Sequence, residues 1–526
     1  MAVAMTGFLS NAPVAWAIEP PSVDPALVPP DDTPGPEQPM RQSNVCARAI
    51  TVAEPNVGLP APGFAMLNIS KAWEHSTGNG VPVAVIDTGV NPSPRLPVIP
   101  GGDYIMGGDG LSDCDAHGTV VASLISAAPS GMPMPAPMPP VPAYPPPAAG
   151  PPVVPPPVAP PNPEVAPAPP PADQPAPPPP ATSQPVGVPG NAPGTASGAA
   201  APEVPAPLPG APDGVAGVAP HATVISIRQS SRAFEPESPG GGDMEARRKA
   251  GTVSTLARAI VHAATIGAKV INVSVTACVS AADPLDQRAI GAAVWYAATV
   301  KDAVVVAAAG NEGEDGCAQN PALDPLDVDD PRDWQHVKTV SSPSWFSDYV
   351  LSVGAVDTTG APLRKSLAGP WVAVAAPGVA IMGLSPQTGG PVNAYPPVRP
   401  GEQNIPFWGT SFSAAYVSGV AALVRAKFPQ LTAHQVINRI LQTAHNPPRG
   451  VDNQVGYGIV DPVAALTFDV PSADPVDPEA LTRVLTPPPP PLPPDHRARN
   501  VALAFAGVVT AGVIVTRFIA RARRAR

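Results

Sequence analysis

The sequence predicts an α/β domain with a mainly parallel sheet flanked by helices, and three observations predict it. Short apolar runs recur at residues 83–86, 223–227, 270–275, 304–308 and 349–353. Stretches of helical character fall between them, at 118–126, 253–266 and 289–298, with a further one around Ala72. The runs are continuous, not alternating, as in strands covered on both faces. Strands alternating with helices form a parallel sheet whose ligand site lies at the carboxyl ends of the strands.

Composition bounds the size of this domain. Of 526 residues, 83 are proline and 46 glycine, a share at which low-complexity segments are expected. The proline is concentrated between Pro129 and Pro212 and again between Pro487 and Pro494. Setting these stretches and the two ends aside leaves roughly 340 residues, enough for one large core. The net charge of −11 offers no basic face for nucleic acid.

The two ends set the compartment. Residues 1–17 are almost wholly apolar and finish in Ala15-Trp16-Ala17, the pattern of a signal-peptide cleavage site, although no lysine or arginine precedes the apolar run. At the other end, Val501 to Thr516 is uninterrupted by charge and continues past Arg517 through Phe518, Ile519 and Ala520. About 20 such residues cross a bilayer core, and an arginine near the end snorkels to the headgroups. Arg521, Arg523, Arg524 and Arg526 outnumber Arg497 and Arg499 on the upstream flank, which puts the tail in the cytoplasm and the bulk of the chain outside. Four cysteines without a CxxC pair read either as two disulfides or as four thiols, and export favours disulfides. The expected order is a signal peptide (1–17), a proline-rich extension (18–45), the α/β domain (46–470), a linker (471–500), a transmembrane helix (501–520) and a basic tail (521–526). Within the domain, residues 129–212 are expected to be a disordered surface insertion, because proline and alanine cannot offset the entropy of ordering the backbone. It acts as a spacer or, alternatively, as a docking arm.

Three segments carry chemistry. Asp87 ends the first apolar run in Asp87-Thr88-Gly89, His117 opens a helix in His117-Gly118-Thr119, and Ser411 follows Gly409-Thr410 at another helix start. A serine hydroxyl becomes a nucleophile when an imidazole takes its proton, and a carboxylate holds the imidazole's other nitrogen. A fourth segment, Ala308-Ala309-Gly310-Asn311, ends a strand with an amide able to donate to an oxyanion.

In these four blocks, and in their order Asp, His, Asn, Ser, the chain resembles the subtilase family over roughly residues 81–461, excluding the insertion. The resemblance implies a subtilisin-like fold and serine endopeptidase activity, with Asp87, His117 and Ser411 catalytic and Asn311 at the oxyanion. Segment 272–276 resembles the family's edge strand that pairs with substrate, which implies substrate contacts from Ser274, Val275 and Thr276, with others from Ala308, Ala309 and Gly310. Thr276 departs from the family, which commonly has glycine there, and adds a side chain to the substrate channel. Gly217 to Ala222 resembles a further segment between the histidine and asparagine blocks. Within the family, the signal, extension, paired cysteines, C-terminal helix and basic tail are similar to those of the mycosins, membrane-anchored subtilases of actinobacterial type VII secretion. That resemblance implies a catalytic domain on the extracytoplasmic face of the cell membrane. It implies a type VII secretion membrane complex as partner and exported proteins as substrates. It also suggests pairing Cys46 with Cys114 and Cys278 with Cys317.

No metal or cofactor is expected. The other seven histidines lack motif context. The acidic residues after Asn311, including Glu312, Glu314 and Asp315, lack calcium-loop spacing and read as a solvated loop beside the cleft. The leader is too short and proline-rich for a folded inhibitory propeptide and reads as a tethered extension. A structural subunit that keeps the protease fold as scaffold is the competing class.

Overall fold

The structure is a computed structural model and describes residues 18–138, 203–205, 211–238, 244–314, 316–321, 330, 332–399, 401–448, 450–475 and 496–524. The expected signal peptide, most of the insertion and most of the linker lie outside these residues.

Seven strands form one sheet: β1 (Pro82–Asp87), β2 (Val98–Asp103), β3 (Thr223–Arg228), β4 (Val270–Val273), β5 (Val304–Ala308), β6 (Val350–Val356) and β7 (Val372–Pro377). Their order across the sheet is β7-β6-β5-β4-β1-β3-β2, and every neighbouring pair is parallel. Successive side chains of a strand point to opposite faces, and here both faces are covered. Val83 and Val85 of β1 join the core containing Val120 of α1 (His117–Ser126), while Ala84 and Ile86 join the core opposite. Helices α2 (Met244–Thr265) and α3 (Arg288–Trp295) cover that opposite face, and α4 (Thr410–Lys427) shares the first with α1. Val304, Val305 and Val306 are fully buried, each contributing about 1.5–3 kcal/mol by leaving water.

Three expectations need correction. The run at 270–275 stops at Val273, and β4 is an interior strand between β1 and β5, not an edge. Ser274 to Thr276 leave the sheet. Strands β2 and β7 are not among the expected runs: β2 contains Pro100-Gly101-Gly102, whereas Val372 to Ala376 of β7 is itself a short continuous apolar run. The helical stretch near Ala72 is two short helices, Pro62–Met66 and Ile69–Ala72.

The extension has no core of its own and is laid on the domain. Met40–Gln42 pairs antiparallel with Phe234–Pro236, Val23 and Val28 pack on the α2–α3 side, and Asp31 reaches His262 at 2.8 Å. A described fragment of the insertion pairs with the first residues of the domain: Val204 N–H donates to the Thr51 carbonyl at 3.0 Å, and Glu203 pairs with Arg48 at 2.7 Å. Residues 139–202 and 206–210 lie outside the described residues.

Both suggested disulfides are formed, Cys46–Cys114 and Cys278–Cys317. The first closes a 68-residue separation, worth roughly 4 kcal/mol by loop-closure entropy. Non-reducing peptide mapping of the membrane-extracted protein is therefore expected to recover these two pairs with no free thiol; a free Cys46 would contradict the tether.

The C-terminal helix α5 spans Arg497–Arg524. Within its Arg499–Arg524 span an 18-residue window reaches a mean hydropathy of 2.0, so the helix is long and apolar enough to cross a membrane.

Candidate active site

Three strand ends and two helix starts converge on one cavity of about 800 Å³, lined among others by Asp87, His117, Ser274, Val275, Thr276, Asn311 and Ser411. Asp87 closes β1, Ser274 follows β4, Asn311 follows β5, and His117 and Thr410 open α1 and α4. This is the carboxyl edge of the sheet, where a parallel α/β fold places its ligand site.

Asp87 is 1% exposed, and its Oδ1 lies 2.7 Å from His117 Nδ1 while also accepting the Thr88 N–H at 2.7 Å. Gly118 is needed beside them, because a Cβ there would collide with the Gly89 carbonyl oxygen. Ala116, just before the histidine, sits at φ 61°, a left-handed conformation uncommon for alanine. Thr88 fastens this corner: its backbone contacts Asp87, its hydroxyl accepts from Gly118 N–H at 2.9 Å and donates to Asp113 at 2.8 Å.

Burial on its own would lower the His117 pKa. The charge of Asp87 and its hydrogen bond, with a further contribution from Asp113, outweigh that and hold the imidazole above its ordinary value. Burial pushes Asp113 itself up to about 6, against hydrogen bonds from Thr119 and Thr88.

Ser411 is the second residue of α4, and its Oγ donates to the Ser274 carbonyl at 3.1 Å. Asn272 holds the Ser274 side chain: fully buried in β4, it accepts from Ser418 Oγ at 2.9 Å and donates to Ser274 Oγ at 2.7 Å. Gly409 caps α4 at φ 136°, which favours glycine, and a Cβ there would crowd Asn311 Nδ2 at 3.1 Å.

Asn311 Oδ1 accepts from the Thr410 N–H at 3.0 Å and the Thr410 hydroxyl at 3.1 Å, which fixes Nδ2 as the opposite end of the amide. Ser274, Val275 and Thr276 border the cavity as expected, with the Thr276 side chain present at its wall. Ala308, Ala309 and Gly310 do not line it. They are buried in β5 and the turn after it, Ala309 N–H donating to the Val353 carbonyl at 3.0 Å, so they carry Asn311 to the surface.

Sequence reasoning missed the rim. Asn44 and Val45 at the end of the extension, and Ala47 and Arg48 at the start of the domain, border the cavity, and Val45 is 89% exposed. Tyr395, Val398, Ile405 and Trp408 face it from the segment before α4. No local pattern marks these residues, because Cys46–Cys114 and long-range pairing bring them there. None of the seven other histidines lines the cavity. Asp330, Asp333 and His336 cluster elsewhere, with Asp330 accepting the N–H groups of Trp334 and Gln335 at 3.0 and 2.7 Å.

Residues 192–458 match the model of the subtilase family, and the chain belongs to that family of serine peptidases. The matched span holds Asn311 and Ser411; Asp87 and His117 precede it, on the far side of the insertion. Its similarity within the family is to the mycosins. It is 68% identical to Mycosin-2 of Mycobacterium tuberculosis over 533 residues, covering 100% of this chain and 97% of the relative. Among solved structures, it is similar to the serine protease MycP1, described as an essential component of the type VII (ESX-1) secretion system. That match has a TM-score of 0.67 and 42% identity, covering 86% of this chain and 100% of the other. It is also similar to a chain of an intact ESX-5 inner membrane complex, at TM-score 0.69 and 47% identity, covering 95% of this chain and 99% of the other.

Proposed function

We propose that this chain is a membrane-anchored serine endopeptidase that cleaves exported proteins from the extracytoplasmic side of the cell membrane, in association with a type VII secretion membrane complex. The observation that carries the catalytic part is the 2.7 Å Asp87–His117 contact on the same cavity as Ser411 and Asn311. Ser411 is the nucleophile and His117 the base that takes its proton and returns it to the leaving amine. Asp87 fixes the imidazole's tautomer and stabilises the imidazolium. As the hydroxyl leaves its Ser274 contact to attack, negative charge develops on the substrate carbonyl oxygen. Asn311 Nδ2 and the Ser411 N–H, at the positive end of α4, are the donors for it.

The domain order supports the topology: a signal at 1–17, disulfides suited to an oxidising side, a spanning helix within α5 and a basic tail. Residues 129–212, an insertion within the peptidase domain, act as a spacer. The partner assignment rests on similarity to a chain of the ESX-5 complex, which also favours a scaffold role alongside catalysis.

Alkaline carbonate washing separates anchored from peripheral protein. The full chain is expected to stay with membranes and a chain ending before Arg497 to be released. In mild detergent, the full chain is expected to co-purify with type VII membrane components equally well with Ser411→Ala. Release of the full chain contradicts anchoring; failure to co-purify contradicts the partner assignment.

A further inference from the structure

Asn311 Nδ2 already has a partner: it donates to Glu314 Oε2 at 3.1 Å, and both residues line the cavity. The amide cannot turn away, since Thr410 holds its oxygen end with two hydrogen bonds. The carboxylate is likewise placed by its backbone. Glu314 N–H donates to the Asn311 carbonyl at 3.1 Å, Cys317 N–H to the Glu314 carbonyl at 2.8 Å, and Gly313 N–H to the Cys317 carbonyl at 2.9 Å. Gly313 supplies the φ of 86° that this tight turn requires. Cys317 is bonded to Cys278, in a strand paired with Thr339–Ser342, so the turn is anchored to a sheet.

Two effects of this carboxylate oppose one another. As a hydrogen-bond acceptor it orients the amide, and a pre-oriented donor aids catalysis. As a negative charge on the donor itself, it repels the negative charge that develops on the substrate oxygen. The orienting role is already filled by Thr410, so the repulsion decides the sign. We propose that Glu314 is a positioning residue that occupies the Asn311 donor in the resting enzyme and in the substrate complex, and that turnover requires the oxyanion developing on the substrate to displace it in the transition state. The inference rests on Asn311 serving as oxyanion donor.

The test uses the full chain in detergent as wild type, Glu314→Gln and Glu314→Ala, each with and without Asn311→Ala. Peptide hydrolysis is resolved into kcat and KM, and Ser411→Ala is the blank. Removing the charge is expected to raise kcat about tenfold, with KM changed by less than about twofold, the size of one like-charge contact in a partly solvated cleft. With Asn311→Ala the gain is expected to vanish. A kcat unchanged or lowered in both Glu314 variants overturns the inference, as does a gain that persists without Asn311. Hydrolysis insensitive to Ser411→Ala and Asn311→Ala fails the underlying assignment instead. Hydrolysis that depends on both residues yet ignores Glu314 fails this inference alone.

Discussion

Ser411→Ala is expected to lower turnover by about 10⁶-fold, and combining it with His117→Ala to lower it little further, because nucleophile and base act as one unit. The fold has little to lose. Ser411 is 7% exposed, and among the described residues its Oγ bonds to the Ser274 carbonyl alone. Losing one such bond costs about 1 kcal/mol. Steady-state hydrolysis and thermal melting of the same preparations check both halves. Turnover within about tenfold of wild type would remove Ser411 as nucleophile, since that is far short of the loss typical of a missing nucleophile.

Asp87→Asn is expected to cost about 10⁴-fold, the typical loss when the orienting carboxylate of such a triad becomes an amide. Size is conserved, so the loss reflects tautomer and charge. The same substitution has a signed effect on pH dependence. In the wild type, burial pulls the His117 pKa down, and the charge and hydrogen bond of Asp87, with Asp113, more than reverse it. The base must be neutral, so kcat/KM is expected to rise with pH through a limb above the ordinary histidine value of 6.5. Without the Asp87 charge, burial remains and the residual limb moves to lower pH. A limb that stays in place in Asp87→Asn would show that another group titrates.

Much of this molecule was legible in its sequence, for reasons that particular residues make clear. Strands buried on both faces leave continuous runs, and 83–86 and 304–308 became β1 and β5 nearly residue for residue. The residues of the Asp87, His117 and Ser411 blocks are constrained by close approach: Gly118 beside Gly89 and Gly409 beside Asn311 tolerate no side chain. Such constraints write themselves into short motifs. Edge strand β2 was not legible, because Pro100 and two glycines read as a loop, yet at an edge they break no ladder on the open side. The Glu314–Asn311 contact was not legible either: the acidic run placed Glu314 beside the cleft, but only the turn closed through Cys317 brings its carboxylate onto the amide. Glu203 and Val204, in a stretch whose composition reads as uniformly unstructured, pair with Arg48 and Thr51 at the start of the domain.

The central claim is that Ser411 is activated by His117 in an accessible cavity. A fluorophosphonate probe reacts only with a serine so activated, and the full chain in detergent, with Ser411→Ala as control, is the preparation to label. The account predicts one covalent adduct, on Ser411, lost in the variant and lost in His117→Ala. A well-folded wild-type chain that takes no label, or labels equally with Ser411→Ala, would contradict it.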